Sequence, residues 1–201
     1  AKIEEFYQSE EEMDDAFKLF LMPLIQQNRL STILCQFPSF FICNKPNVEY
    51  LRKLRLRFKE FPMAIEFRSG TWYNDSVKQD MIEFMKQYHY TLVTVDEPQV
   101  AHHSVPFLPK VTTKDYAYLR LHGRNKRYWT EKSGDWRKKR TLYRYSDSEL
   151  NELAKDIKQI EAKKIVVVFN NNSGGDAGEN ALTLKNMLAI DYKGLNPTQL
   201  N

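Results

Sequence analysis

Tyr116 to Asn125 reads YAYLRLHGRN. Strand alternation puts Tyr118, Arg120 and His122 on one face and Leu119 and Leu121 on the other. The stretch ends by presenting Arg120, His122, Arg124 and Asn125. A guanidinium and an imidazole on one side of a buried strand are costly unless something anionic lies opposite. Other apolar runs end the same way: AIEFR at 64–68, VTVDE at 93–97 and VVFNNN at 167–172. Strands that are apolar for most of their length and polar at their C-terminal ends point to one shared site.

The 201 residues suffice for a substantial core, and 42% hydrophobic with 13% aromatic residues is a globular composition. The longest clean apolar run, Ile165 to Phe169, is far too short to cross a bilayer. No charged-then-apolar leader opens the chain, and Cys35 and Cys43 have no CxxC spacing. The expectation is a cytoplasmic protein with reduced cysteines and no membrane partner. The net charge of +4 is unevenly placed: between Arg124 and Arg140 stand eight Lys/Arg against two Asp/Glu, so the rest of the chain is slightly acidic.

Ser9 to Glu12 has the capping-box pattern, followed by Met13, Ala16, Phe17, Phe20, Leu21 and Leu24 at helical spacing, with Pro23 expected to end or kink the helix. Leu30 to Phe37 reads as a strand, and Val48, Leu51, Leu54 and Phe58 as the inner stripe of a second helix. Met63 to Phe67 and Thr91 to Val95 read as strands around a helix that Ser76 and Gln79 can cap. A loop from Pro98 to Lys110 leads to the Tyr116 strand. Ser146 and Glu149 then cap a helix, and Ile165 to Phe169 is the last strand. An Asn/Gly turn at 170–175 leads into a helix from about Asp176 to Ile190.

Strict alternation of helix and strand calls for a parallel sheet with helices outside, in one domain over 1–201. An open doubly wound sheet and a TIM (β/α)8 barrel are the two candidates. No GxGxxG follows the first strand, and polar residues at every strand end suit a barrel mouth, so the expectation is a TIM barrel. A full barrel needs eight strands and about 250 residues, and about five strands are visible.

The motifs QFPSF (36–40), AIEFR (64–68) with Trp72, VDEPQ (95–99), RLHGRN (120–125), LYRYSDSEL (142–150) and NNNSGGDAGENA (170–181) resemble the YecE-like family, domain of unknown function 72. They span nearly the whole chain in the family's order. The resemblance implies a TIM barrel. It also implies that this chain covers strands four to eight, because the family's N-terminal TSGW-like, EIN-like and lysine-bearing strands have no counterpart here. It supplies a fold and a site, and no reaction.

Glu66, Asp96 and His122 are the candidate acid–base residues: two carboxylates whose environments can separate their roles, and an imidazole able to carry a proton at neutral pH. Arg68, Arg120, Arg124 and Asn125 are candidates to hold a carboxylate or phosphate, with Trp72 beside them. Asn170, Asn171, Asn172, Ser173, Gly174 and Gly175 form a turn whose backbone N–H groups, ahead of a helix N-terminus, suit an anion. The competing reading is a static network of Glu66–Arg68 and Asp96–Arg120 pairs capping the core. His89, His102, His103 and His122 form no metal-binding pattern, Glu66 and Asp96 alone do not specify Mg2+, and no cofactor is indicated. The basic loop 124–140 interleaves cations with Tyr128, Trp129 and Trp136.

Two functions follow. The first is a hydrolase or lyase acting on a small anionic, phosphate-bearing ligand at the strand C-termini. The second is a nucleic-acid-binding protein using loop 124–140.

Overall fold

The computed structural model describes residues 6–101, 103–131, 134–171 and 174–191. Asn172, Ser173 and His102, named above from the sequence, lie outside the described residues. Helix α1 (Glu10–Gln26) is capped by Ser9, whose side chain accepts the Glu12 N–H, and the Glu12 carboxylate accepts from Gln8 rather than from Ser9. Pro23 sits in the last turn and the helix runs three residues beyond it. Only Leu21 of its predicted apolar stripe is buried, and Phe20 is 72% exposed.

Strand β1 (Ile33–Phe37), helix α2 (Lys45–Arg57) and strand β2 (Met63–Phe67) follow as the periodicity predicts. Outward-facing Met63, Ile65 and Phe67 are shut under Leu51, Leu54, Met81 and Met85 of α2 and α3 (Lys78–Gln87). A 3-10 turn at Gly70–Tyr73 places Trp72 flat on Phe67, ring centroids 4.2 Å apart. The predicted strand at 91–95 is instead two short ones, β3 (Tyr90–Leu92) and β4 (Thr94–Asp96), broken at Val93. β3 pairs with β2, and β4 pairs with β5 (Tyr116–Leu121), which pairs with β6 (Lys164–Phe169). The Val93 N–H still donates to Ile65, so the run changes partner within one residue.

All pairings are parallel, but the architecture is two three-stranded sheets, ordered β1-β2-β3 and β4-β5-β6. This corrects the expectation of a TIM (β/α)8 barrel. Closing a barrel requires every strand to be laddered on both sides. Among the described residues, the outer edges of β1 and β6 have no strand partner. A side-chain bond from Lys164 to Ser31 (2.8 Å) joins the N-terminal ends of these two edges, without a backbone ladder. The fold is α/β, with short helices α4 (Arg127–Thr130) and α5 (Trp136–Lys139) in the basic loop and α6 (Asp147–Lys158) and α7 (Asp176–Met187) over the second sheet. Among the described residues no helix is long and apolar enough to cross a membrane.

The second sheet has the two-faced burial that its alternation predicts. Leu119 and Leu121 pack against Leu150, Leu153 and Ile157 of α6, and Tyr118 turns to the opposite face, against the first core. The Ser146–Glu149 capping box forms with both arms. At the end of β5, Gly123 has φ +85°, and an added Cβ would lie 2.5 Å from Tyr143 Cβ. Gly123→Ala therefore combines left-handed strain with a clash against a fixed side chain. It should cost roughly 2 kcal/mol or more, read as a lower denaturation midpoint in urea.

Candidate functional site

Parallel register decides which side chains meet. Neighbours in a parallel ladder point to the same side, and the side alternates at each residue. Gln36 is paired with Glu66, and Val95 with Arg120. Gln36, Glu66, Arg68, Glu97, Arg120, His122 and Asn170 thus share the inner side of the two sheets. Asp96, aligned with Leu121, and Asn171, one residue beyond Asn170, take the outer side.

The inner group is a charge network built on Glu66, whose side chain is completely buried. Its Oε1 lies 3.1 Å from Arg68 Nη1 and 3.2 Å from His122 Nε2, and Arg120 ion-pairs with Oε2. Arg120 also donates to Gln36 Oε1 at 2.8 Å. Burial by itself pushes the Glu66 carboxyl up. The His122 hydrogen bond and the charges of Arg68 and Arg120 outweigh that and hold it down to about 2. Burial pushes His122 the other way from a free imidazole, below 6.5: the Glu66 hydrogen bond and charge raise it, but burial, helped by the charges of Arg68 and Arg120, prevails. Asn170 Nδ2 sits 3.0 Å from His122 Nδ1. With Asn170 as donor, the imidazole is neutral with its proton on Nε2, and Nδ1 is the basic nitrogen.

Two cavities open beside this network. The larger, about 930 Å³, is walled by Arg68, Glu97, Ser104, Trp129, Trp136 and Arg140 among others. The smaller, about 310 Å³, is walled by Gln36, Arg68, His122, Arg140 and Asn170 with Trp136 and Thr141. Arg68 and Arg140 belong to both walls and stand at the junction. Arg140 lies over the Trp129 ring at 4.2 Å, and Arg68 over the same ring at 5.4 Å. Trp129 is 8% exposed and donates its indole N–H to His103 O, so this part of the basic loop is folded onto the cavity. Among the described residues no carboxylate lies within ion-pair distance of Arg140. Burial and the neighbouring Arg68 push its pKa down.

Glu97, one residue beyond Asp96, was not singled out from the sequence. It is 2% exposed, accepts the Val105 N–H at 2.7 Å and lies 2.9 Å from Arg68 Nη2. Burial is the largest influence on it and pushes its carboxyl up to about 7, against the pull of Arg68, the Val105 hydrogen bond and Arg140. The signal that finds it is parity. Once Val95 is known to face inward with Arg120, Glu97 must follow, and Asp96 cannot.

The outer group is a clasp. Arg124 donates to both oxygens of Asp96 (2.8 to 3.1 Å), and Tyr145 donates to Asp96 Oδ2 at 2.6 Å. Glu149, at the start of α6, accepts from Tyr143 (2.6 Å) and from Arg124 (3.4 Å). Burial lowers the pKa of Arg124, but the Asp96 hydrogen bond and charge raise it further, while burial and Asp96 both raise Tyr145. Asn125 donates to the Leu142 and Lys139 carbonyls, and Asn171 to the Tyr143 carbonyl and Asn180. Trp72 donates to Phe41 O inside the aromatic core. Gly174 and Gly175 have positive φ ahead of α7, whose first-turn Asp176 and Glu179 both pair with Arg144. Asp96, Trp72, Arg124, Asn125, Asn171, Gly174 and Gly175 line neither cavity. Among the described residues no cluster of His, Cys, Asp and Glu could hold a metal ion.

Residues 2–201 match the family described as "Protein of unknown function DUF72", and the chain belongs to that family. It is 40% identical over 199 residues to the UPF0759 protein YunF of Bacillus subtilis (strain 168), across 97% of this chain and 71% of that protein. A crystal structure of a DUF72 family protein from Enterococcus faecalis superposes with a TM-score of 0.94 at 45% identity, over 100% of this chain and 74% of that one. Another from Thermotoga maritima gives 0.80 at 37% identity, over 90% of this chain and 66% of that one.

Two outcomes separate the inner and outer groups. Arg124→Ala strips a buried carboxylate of its cation and should destabilise the fold by about 3 kcal/mol, measured by urea denaturation. Because Glu97 titrates near 7 rather than at its ordinary 4.5, its burial costs nothing below the lower value and the full penalty above the upper one. Glu97→Gln should therefore match wild type in Tm near about pH 4.5 and exceed it at about pH 8. Equal Tm differences at both pH values would show that Glu97 is not buried as an anion.

Proposed function

We propose that this DUF72 chain is an acid–base enzyme, a hydrolase or lyase, acting on a small anionic ligand that carries a phosphate or carboxylate. The observation that carries the reading is the junction of the two cavities. Two guanidiniums, Arg68 and Arg140, line both spaces, with a neutral imidazole on one side. A pair of arginines suits planar or tetrahedral oxyanions, through hydrogen bonds in fixed directions. Arg140, which among the described residues has no carboxylate within ion-pair distance, is the half of the pair that gains most from a bound anion.

In this reading Glu66 does not touch the ligand. It is enclosed by Arg68, Arg120 and His122 and holds the imidazole by Nε2, so that positive charge developing on His122 is stabilised. His122 is the general base, working through Nδ1 once the ligand displaces the Asn170 amide that caps it. The alternative of nucleic-acid binding by loop 124–140 gains little from the geometry. Trp129 is buried against Arg68 and Arg140, and Arg124 is committed to Asp96.

The test is a thermal-shift titration with inorganic phosphate and sulfate, followed by a turnover screen on phosphate esters and hydroxy acids. Anions should raise the Tm of wild type and not of Arg140→Ala. His122→Asn should keep the anion-induced shift and lose turnover by about 100-fold or more. No shift with any anion, or an equal shift in Arg140→Ala, overturns the reading.

A further inference from the structure

Arg68 serves two buried carboxylates at once. Nη1 lies 3.1 Å from Glu66 and Nη2 lies 2.9 Å from Glu97. The two acids are not equally dependent on it. Glu66 keeps Arg120 and His122 if Arg68 turns away. Among the described residues Glu97 has only the Val105 N–H as a further hydrogen-bond donor, and that reaches Oε1, with the charge of Arg140 acting from farther off. Its Oε2 is buried without a hydrogen-bond partner: the Arg68 contact is an ion pair whose N–H bonds are not aligned with it. A buried carboxylate in this position stays ionised only while the cation remains beside it.

We propose that Glu97 is the second proton-transfer residue of the site, and that it takes up its proton when an anion binds. An anion at the junction of the cavities draws Arg68 and Arg140 toward itself and adds its own negative charge near Glu97. Both effects favour a proton from solvent on Oε2, which among the described residues has no hydrogen-bond partner. The ligand thereby arms an acid on the wall of the larger cavity, across Arg68 from the His122 base. The inference rests on the anion site proposed above.

The groups facing Glu97 are known from the elements packed against it. Arg68 and Glu66 come from β2 and the residue just after it, Tyr73 from the 3-10 turn, and Arg140 from the basic loop. His103, from the loop after β4, lines the same cavity. Burial, ahead of the charge of Glu97, pushes the Tyr73 phenol up, so it does not exchange protons near neutrality. The Glu97 carboxyl already stands at about 7 in the free protein, so a small loss of positive charge is enough to protonate it at neutral pH.

Isothermal titration calorimetry with sulfate, which stays a dianion across this range, tests the coupling. Runs at about pH 8 in two buffers of different ionisation enthalpy give the protons bound per sulfate. Wild type should take up close to one proton, and its sulfate affinity should fall by up to about tenfold per pH unit above about 7. Glu97→Gln should still bind sulfate, with no proton uptake and a flat pH dependence. His103→Gln should keep the uptake. Binding without proton uptake in wild type, or uptake that survives in Glu97→Gln, overturns the role of Glu97 and leaves the anion site standing. Absence of sulfate binding overturns the anion site itself, and this inference with it.

Discussion

Everything on the inner side of the two sheets depends on keeping the Glu66 carboxylate charged where water cannot reach it. That requires cations within hydrogen-bond range from different segments, and the chain supplies Arg68, just after β2, and Arg120 of β5, with the His122 imidazole beside them. A lone buried carboxylate would protonate, and a lone buried guanidinium would be costly. Together they form a set that is satisfied only when both sheets are in place, since Arg68 comes from one and Arg120 and His122 from the other. The same network that joins the sheets also fixes the imidazole and sets Arg68 at the cavity junction.

The outer clasp works differently. Asp96, Arg124, Tyr145 and Glu149 satisfy one another, leaving no group turned toward a cavity. It lies between the end of β4 and the start of α6, and its strongest contacts are bidentate and buried. Its location explains the rigid, narrow turn at Gly123, whose N–H donates to the Tyr145 hydroxyl. The two groups are adjacent in sequence at 96 and 97 and serve opposite sides of one strand: one holds the turn, the other faces the larger cavity.

Much of this was legible in the amino-acid order. The alternation in YAYLRLHGRN placed Arg120 and His122 together, and AIEFR placed Glu66 and Arg68 together, because period two in a strand is a geometric necessity. What alternation cannot give is the phase of one strand relative to another. Asp96 drew attention over Glu97 because both are acidic and adjacent, and only the pairing of Val95 with Arg120 tells which faces inward. Trp72 stands among the candidate ligand-binding residues in the sequence, yet its place in the aromatic stack is fixed by Phe41 and Phe67, distant in sequence from one another. The barrel expectation failed for a related reason: strand count and polarity describe each ribbon by itself, while closure is a property of edges.

The break at Val93 has a consequence for evolution and for engineering. Seven consecutive residues, 90 to 96, supply the last ribbon of one sheet and the first of the next, so they answer to two independent sets of backbone partners. An insertion or deletion there could not be absorbed by sliding along either neighbour, since realigning with one would misalign the other. It would also trade Asp96 and Glu97 across the sheet, turning the clasp's acid toward the cavity. Variation in length should therefore be tolerated in the loop that follows and excluded from this ribbon.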